Sequence, residues 1–260
     1  MSDDAGRFIW YELMTADTKA AEAFYTSVVG WSASDAGMPG MPYTIFARGE
    51  AMIAGLMAMP EAVRKQGGQP AWSGYIAVDD VDAAVERVRR LGGVVHMAPT
   101  EVPGVGRFAV AADPQGAVFL PFRPLPPPTP PVVPAPGSLG TIGWRELYSS
   151  DWEKAFAFYS AMFGWTKDQA MDMGAMGTYQ LFATADGQPA IGGMFNKPAQ
   201  VPVDFWLYYF VIDEIDAAGE RVKANGGKVV YGPMEVPGGA FIVQCLDPQG
   251  AMFALTGPRK

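Results

Sequence analysis

Two glutamates stand where glutamate is uncommon. Glu12 lies in Phe8-Ile-Trp-Tyr-Glu-Leu-Met-Thr-Ala-Asp17, and Glu146 lies in Ile142-Gly-Trp-Arg-Glu-Leu-Tyr-Ser-Ser-Asp151. Both stretches read as strands, in which glutamate is depleted and seldom buried without a partner. A carboxylate there can anchor a ligand's hydroxyl or amine, or act as a general base whose pKa burial has raised. Trp10 and Trp144 precede these glutamates by two positions, which puts each indole on its glutamate's face of the strand. An indole offers a broad apolar surface and one N–H donor, suited to stacking a flat ligand. Trp72 and Trp206 supply a candidate second wall. The structural alternative stands beside each assignment: a glutamate held by backbone N–H groups or an arginine, and a tryptophan that is simply core.

The two stretches are copies. Trp10, Glu12 and Asp17 recur as Trp144, Glu146 and Asp151, a constant separation (146 − 12 = 134). Gly30-Trp31, Gly92-Gly93, Glu101-Val-Pro-Gly104 and Asp113-Pro-Gln-Gly116 recur at the same separation. Ile53-Ala-Gly-Leu56 matches Ile191-Gly-Gly-Met194 at a larger one (191 − 53 = 138), so a loop after Pro60 is longer in the first copy. Repetition over this length marks a tandem duplication. The expected organisation is one domain over 1–123, a proline-rich linker over 124–138, and a second domain over 139–260. The linker, dense in proline, reads as a semi-rigid polyproline strap.

Within each copy the pattern repeats again. A strand from Phe8 leads to a helix with apolar Ala20, Phe24 and Val28, for which Asp17 is the expected N-cap and Gly30 the stop. Strands over Tyr43–Ala47 and Ala51–Ala58 follow. The order then restarts with strand Trp72–Val78, helix Val81–Leu91 and strands Val94–Met97, Arg107–Ala111 and Ala117–Phe122. Asp113-Pro-Gln-Gly116 has the residues of a type I turn. The fold class expected is α+β: tandem domains, each of two paired βαβββ units forming a curved mixed sheet around a cup.

Composition narrows the function. With 260 residues, 49% hydrophobic and a net charge of −8, the chain is globular and a poor partner for nucleic acid or an anionic membrane. It has no apolar run long enough to span a bilayer. Its acidic N-terminus lacks the features of a secretory signal. One cysteine, Cys245, permits no internal disulfide and fits a reducing cytoplasm. Cys245 reads as a small buried hydrophobe. The single histidine, His96, faces Val230 in the other copy and reads as structural.

The order Asp17…Phe24-Tyr25…Gly30-Trp31…Asp80…Gly92-Gly93…Asp113-Pro-Gln-Gly116, written again from Asp151 to Gly250, resembles the vicinal-oxygen-chelate superfamily. That superfamily contains glyoxalase I, the extradiol dioxygenases and the bleomycin- and fosfomycin-resistance proteins. The Trp-x-Glu-Leu start resembles a two-domain bacterial glyoxalase-like subgroup. The resemblance implies a divalent metal held by two histidines and a glutamate. The matching positions here are Trp10, approximately Ser73, and Leu120, then Trp144, approximately Leu207, and Ala254. Apart from the serine, none of these side chains ligates metal. The expectation is therefore no metal site of the usual kind and no cofactor, with a divalent metal not excluded. Two functions follow. One is metal-independent binding of a small molecule in aromatic-lined cups. The other is an enzyme of the glyoxalase or dioxygenase type, a lyase or hydroxylase, with Glu12 or Glu146 as base or with metal ligands placed elsewhere. A homodimer is left open.

Overall fold

The computed structural model describes residues 4–38, 40–127, 129–185 and 187–260. The acidic start at 1–3 and Pro128 of the linker, on which part of the sequence reading rests, lie outside the described residues.

The first copy opens with β1 (Phe8–Thr15) and α1 (Thr18–Val29). Asp17 caps the helix by accepting the Ala20 N–H at 3.0 Å, and Gly30, at φ 79°, ends it in the left-handed conformation. Next come β2 (Ser32–Asp35), β3 (Tyr43–Arg48) and β4 (Ala51–Ala58). The residues that lengthen the first copy after Pro60 form a short helix, α2 (Glu61–Lys65). The second half contributes β5 (Ala71–Ala77), α3 (Val81–Arg90), β6 (Val94–Val102), β7 (Gly106–Ala112) and β8 (Val118–Pro124). Asp113 Oδ1 accepts the N–H groups of Gln115, Gly116 and Ala117, which closes the predicted turn between β7 and β8.

The second copy repeats this as β9 (Ile142–Ser149), α4 (Trp152–Phe163), β10 (Thr166–Asp172), β11 (Thr178–Ala183) and β12 (Gly192–Asn196). It continues with β13 (Phe205–Val211), α5 (Ile215–Ala224), β14 (Lys228–Glu235), β15 (Phe241–Leu246) and β16 (Met252–Gly257). Each copy builds one eight-stranded mixed sheet, in the orders β2-β3-β4-β1-β5-β8-β7-β6 and β10-β11-β12-β9-β13-β16-β15-β14. Neither sheet closes into a barrel. The parallel pairs are β1 with β4 and β5 with β8, and their counterparts in the second copy. The α+β class read from the sequence is the observed one.

Compactness follows a different division. One compact unit contains Met1–Trp10, Ser73–Thr129 and Trp144–Trp206; the other contains Tyr11–Trp72, Pro130–Gly143 and Leu207–Lys260. Each unit therefore joins the opening helix of one copy to the closing hairpins of the other. In the second unit, Tyr25 of α1 is fully buried, accepts the Trp72 Nε1–H at 2.8 Å and donates to Asp247 Oδ2 at 3.2 Å. Phe24 packs edge-on to Phe253, and Arg221 donates to the Val28 carbonyl at the helix end. In the first unit, Tyr159 of α4 accepts from Trp206 Nε1 at 2.9 Å, Phe158 packs on Phe119, and Arg87 donates to the Met162 carbonyl. The glycine-tryptophan pairs close each unit: Trp31 Nε1 donates to the Gly140 carbonyl, and Trp165 Nε1 donates to the Gly6 carbonyl.

Burial raises the carboxyl pKa of Asp113 and of Asp247, against the lowering effect of the turn N–H groups and of the neighbouring tyrosine hydroxyl. A folded pKa above the unfolded one favours the protonated fold. That stabilisation is complete below the ordinary aspartate value of 3.8 and is lost as pH rises through the raised pKa. The Asp247→Asn variant removes this titration while keeping an Oδ1 acceptor for the turn. Its stability relative to the parent, measured by urea unfolding from pH 4 to 7, is expected to climb with pH. A flat difference would mean that Asp247 titrates normally.

Candidate functional site

Glu12 and Glu146 occupy matching positions on β1 and β9, and the residue level with each on the neighbouring strand is a glycine. Glu12 pairs in register with Gly55, and Glu146 with Gly193. These glycines make room for a tyrosine from the next strand over. A Cβ built on Gly55 would stand 1.8 Å from the Tyr43 hydroxyl, and one on Gly193 would stand 2.1 Å from the Tyr179 ring. No side chain tolerates such contacts, so glycine is what lets each ring cross the middle strand. The ring ends on the carboxylate. Tyr43 donates to Glu12 Oε2 at 2.8 Å within the second unit, and Tyr179 donates to Glu146 Oε1 at 2.8 Å within the first.

In the second copy a tryptophan joins the pair. Trp144 Nε1 donates to the Tyr179 hydroxyl at 2.8 Å, so indole, phenol and carboxylate form a directed relay. Glu146 is 8% exposed and Tyr179 is 9% exposed. Burial first, and the Glu146 charge second, push the Tyr179 pKa well above its ordinary value. Tyr179 therefore stays protonated and stays a donor.

Trp10 is half-buried and packs on the cluster Tyr75, Leu120 and Phe122, beside Phe108 and Val110. Trp72 and Trp206 lie elsewhere. Trp72 is buried among Tyr25, Trp31 and Phe210, and Trp206 among Tyr159, Trp165 and Phe182, with both indole N–H groups given to helix tyrosines. They belong to the aromatic core of the compact units. Cys245 is fully buried, and burial pushes its thiol pKa up to about 12, which leaves it unreactive.

The tyrosines and glycines escaped the sequence reading. Their signal was available: Tyr43-Thr-Ile-Phe-Ala47 returns as Tyr179-Gln-Leu-Phe-Ala183, at a separation between those of the flanking motifs (179 − 43 = 136). The drift in the middle of the repeat hid it.

The residues at the superfamily's metal positions do not suit a divalent ion. Trp10 is packed in the cluster just described, Leu120 stands level with Tyr75, and Ala254 stands level with Tyr209. These positions offer apolar and aromatic surface in place of ligating atoms. Among the described residues no three histidine, cysteine, aspartate or glutamate side chains come together.

With two βαβββ-built sheets and a glutamate–tyrosine pair in each, the chain belongs to the Glyoxalase/Bleomycin resistance protein/Dioxygenase superfamily, whose family model matches residues 7–119 and 141–255. Among curated proteins it is similar to the protein named "Putative glyoxylase CFP32" of Mycobacterium tuberculosis. The two are 33% identical over 251 residues, which cover 96% of this chain and 94% of that protein. It is also 32% identical to the anthracycline biosynthesis protein DauV of Streptomyces sp., over 96% of this chain and 93% of that one. Among solved structures, the Mn(II)-bound glyoxalase of Novosphingobium aromaticivorans superposes with a TM-score of 0.65 at 16% identity. The match covers 99% of this chain and 83% of the other. Homoprotocatechuate 2,3-dioxygenase of B. fuscum superposes with a TM-score of 0.66 at 17% identity, covering 99% and 72%. These two likenesses show the shared fold.

Proposed function

We propose that the protein binds a planar, oxygen-bearing aromatic small molecule without a metal, using Glu146, Tyr179 and Trp144 in one unit and Glu12 with Tyr43 in the other. The observation that carries this is the Trp144–Tyr179–Glu146 relay. Its tryptophan stands at the superfamily's first metal-ligand position, and its terminal carboxylate accepts a hydroxyl. Binding of this kind needs apolar area and a few fixed polar groups rather than an electrophile. Kinship at 32% identity with proteins named for anthracycline biosynthesis supports flat, hydroxylated ring systems as the ligand class. The net charge of −8 argues against nucleic acid and anionic membrane as partners, and among the described residues no helix is long and apolar enough to cross a membrane. A cytoplasmic setting accords with the single buried cysteine, and self-association into a homodimer is compatible with this reading.

The test is a tryptophan-fluorescence titration with 1,4-dihydroxyanthraquinone. Glu146→Gln is expected to weaken binding by at least about tenfold, the value of one charge-assisted hydrogen bond. Equal affinity in parent and variant would overturn the assignment. A second reading is supported by the glyoxylase name of CFP32. In it the same carboxylate removes a proton from a bound substrate, and turnover that is lost in Glu146→Gln while affinity is kept would favour it.

A further inference from the structure

The end of α1 carries two arginines where the matching end of α4 carries one. In the second unit Arg221 of α5 donates from Nε to the Val28 carbonyl at 3.1 Å and from Nη2 to Asp213 Oδ1 at 3.0 Å. Arg48, at the end of β3, donates from Nη1 to the Gly30 carbonyl. In the first unit Arg87 matches Arg221 and holds the Met162 carbonyl at 3.1 Å. The residue matching Arg48 there is Thr184 (184 − 48 = 136). A Cβ on Gly30 would meet Arg48 Nη1 at 2.9 Å, whereas one on Gly164 would meet nothing within 4 Å. The helix end closes without a second guanidinium, so the fold does not require Arg48. The two guanidiniums line a surface cavity of about 300 Å³ together with Gly30, Leu139, Val211 and Asp213, all within the second unit. Two arginines against one aspartate leave that lining one positive charge (2 − 1 = 1), in a chain of net charge −8. A guanidinium has five N–H donors. Among the described residues, the bonds just named leave Nε and Nη2 of Arg48 and Nη1 of Arg221 without an acceptor. Leu139, 44% exposed, adds apolar surface beside them.

We infer that this cavity binds a small organic carboxylate, with its charge on Arg48 and Arg221 and its apolar body on Leu139 and Val211. The forked N–H groups of a guanidinium match the two oxygens of a carboxylate, and such charge-assisted bonds are stronger than neutral ones. The Val28 and Gly30 carbonyls hold both guanidiniums in place before a ligand arrives, which lowers the ordering cost of binding. Asp213 already takes one side of Arg221, so Arg48 carries most of the attraction. The volume stands at the lower end for ligand pockets and suits a single ring or a short chain. The site shares no residue with the glutamate–tyrosine pairs and is independent of the ligand proposed for them.

The test compares parent, Arg48→Thr and Arg48→Gln in calorimetric titrations with benzoate and with inorganic phosphate. Arg48→Thr installs the residue that the other copy carries at this position, and Arg48→Gln serves if that variant does not fold. The parent is expected to bind benzoate, and to bind it more tightly than phosphate, which gains nothing from Leu139. Benzoate affinity is expected to fall about tenfold in both variants, the loss of one charge-assisted hydrogen bond, with thermal midpoints held. A parent that does not bind benzoate, or variants that bind it as tightly as the parent, would overturn the site. Phosphate bound as tightly as benzoate or more so would overturn the assignment of an organic carboxylate.

Discussion

Gly193→Ala is expected to destabilise the protein by about 2–6 kcal/mol and to abolish ligand binding, because one methyl group would break the relay. The new Cβ would meet the Tyr179 ring at 2.1–2.5 Å, far inside contact distance, so the ring must leave its path across β12. Overpacking of this sort costs roughly 1–3 kcal/mol. Displacing the phenol also takes a hydrogen bond from the buried Glu146 carboxylate, a loss of about 1–3 kcal/mol. The two costs share one cause, so they are testable as a pair. Tyr179→Ala relieves the clash, and the double variant Gly193→Ala/Tyr179→Ala is expected to be no less stable than Tyr179→Ala alone. Urea unfolding of the three variants reads the coupling. Additive losses would mean that the glycine is needed for something other than the crossing ring.

Separating the two copies is expected to leave neither able to fold as a monomer. A polypeptide of residues 1–123 keeps α1 with Phe24 and Tyr25 but loses Phe253 and Asp247, against which they pack. A polypeptide of residues 139–260 keeps α4 with Phe158 and Tyr159 but loses Phe119. Each large apolar side chain left in water forfeits about 1.5–3 kcal/mol, and whole domains are stable by only about 5–15 kcal/mol. Two or three such losses on each helix come to about 3–9 kcal/mol, comparable with that whole stability. Mixed in equal amounts, the halves are expected to recover the near-ultraviolet circular dichroism of the full chain as a one-to-one complex. A monomeric half with cooperative unfolding would show that each copy is self-sufficient.

The duplication, the capped helices and the hairpin turns were legible in the sequence because each rests on local chemistry. Asp17 caps, Gly30 stops and Asp113 turns through bonds made within a few residues. The strand β2 was not legible. Ser32-Ala-Ser-Asp35 is polar and mostly exposed, with no alternation to mark it, and it is a strand because its backbone pairs with β3. The exchange of helix partners between copies was equally hidden, since Tyr25 and Asp247 meet across most of the chain. At the site, Glu12 and Glu146 stood out by being polar in apolar strands. Their tyrosine partners did not, because an aromatic residue in a strand looks like core until register shows what it crosses. Trp72 and Trp206 teach the converse. They recur as faithfully as Trp10 and Trp144, yet their N–H groups are taken up by helix tyrosines.

The most direct test of metal-independent binding through Glu146 is the affinity of chelator-treated protein for 1,4-dihydroxyanthraquinone, parent against Glu146→Gln, with bound metal counted by mass spectrometry. The metal-free parent is expected to bind as tightly as untreated protein, and Glu146→Gln to bind at least about tenfold more weakly. Binding that disappears on chelation and returns with Mn(II) or Zn(II), or that is indifferent to Glu146→Gln, would contradict it.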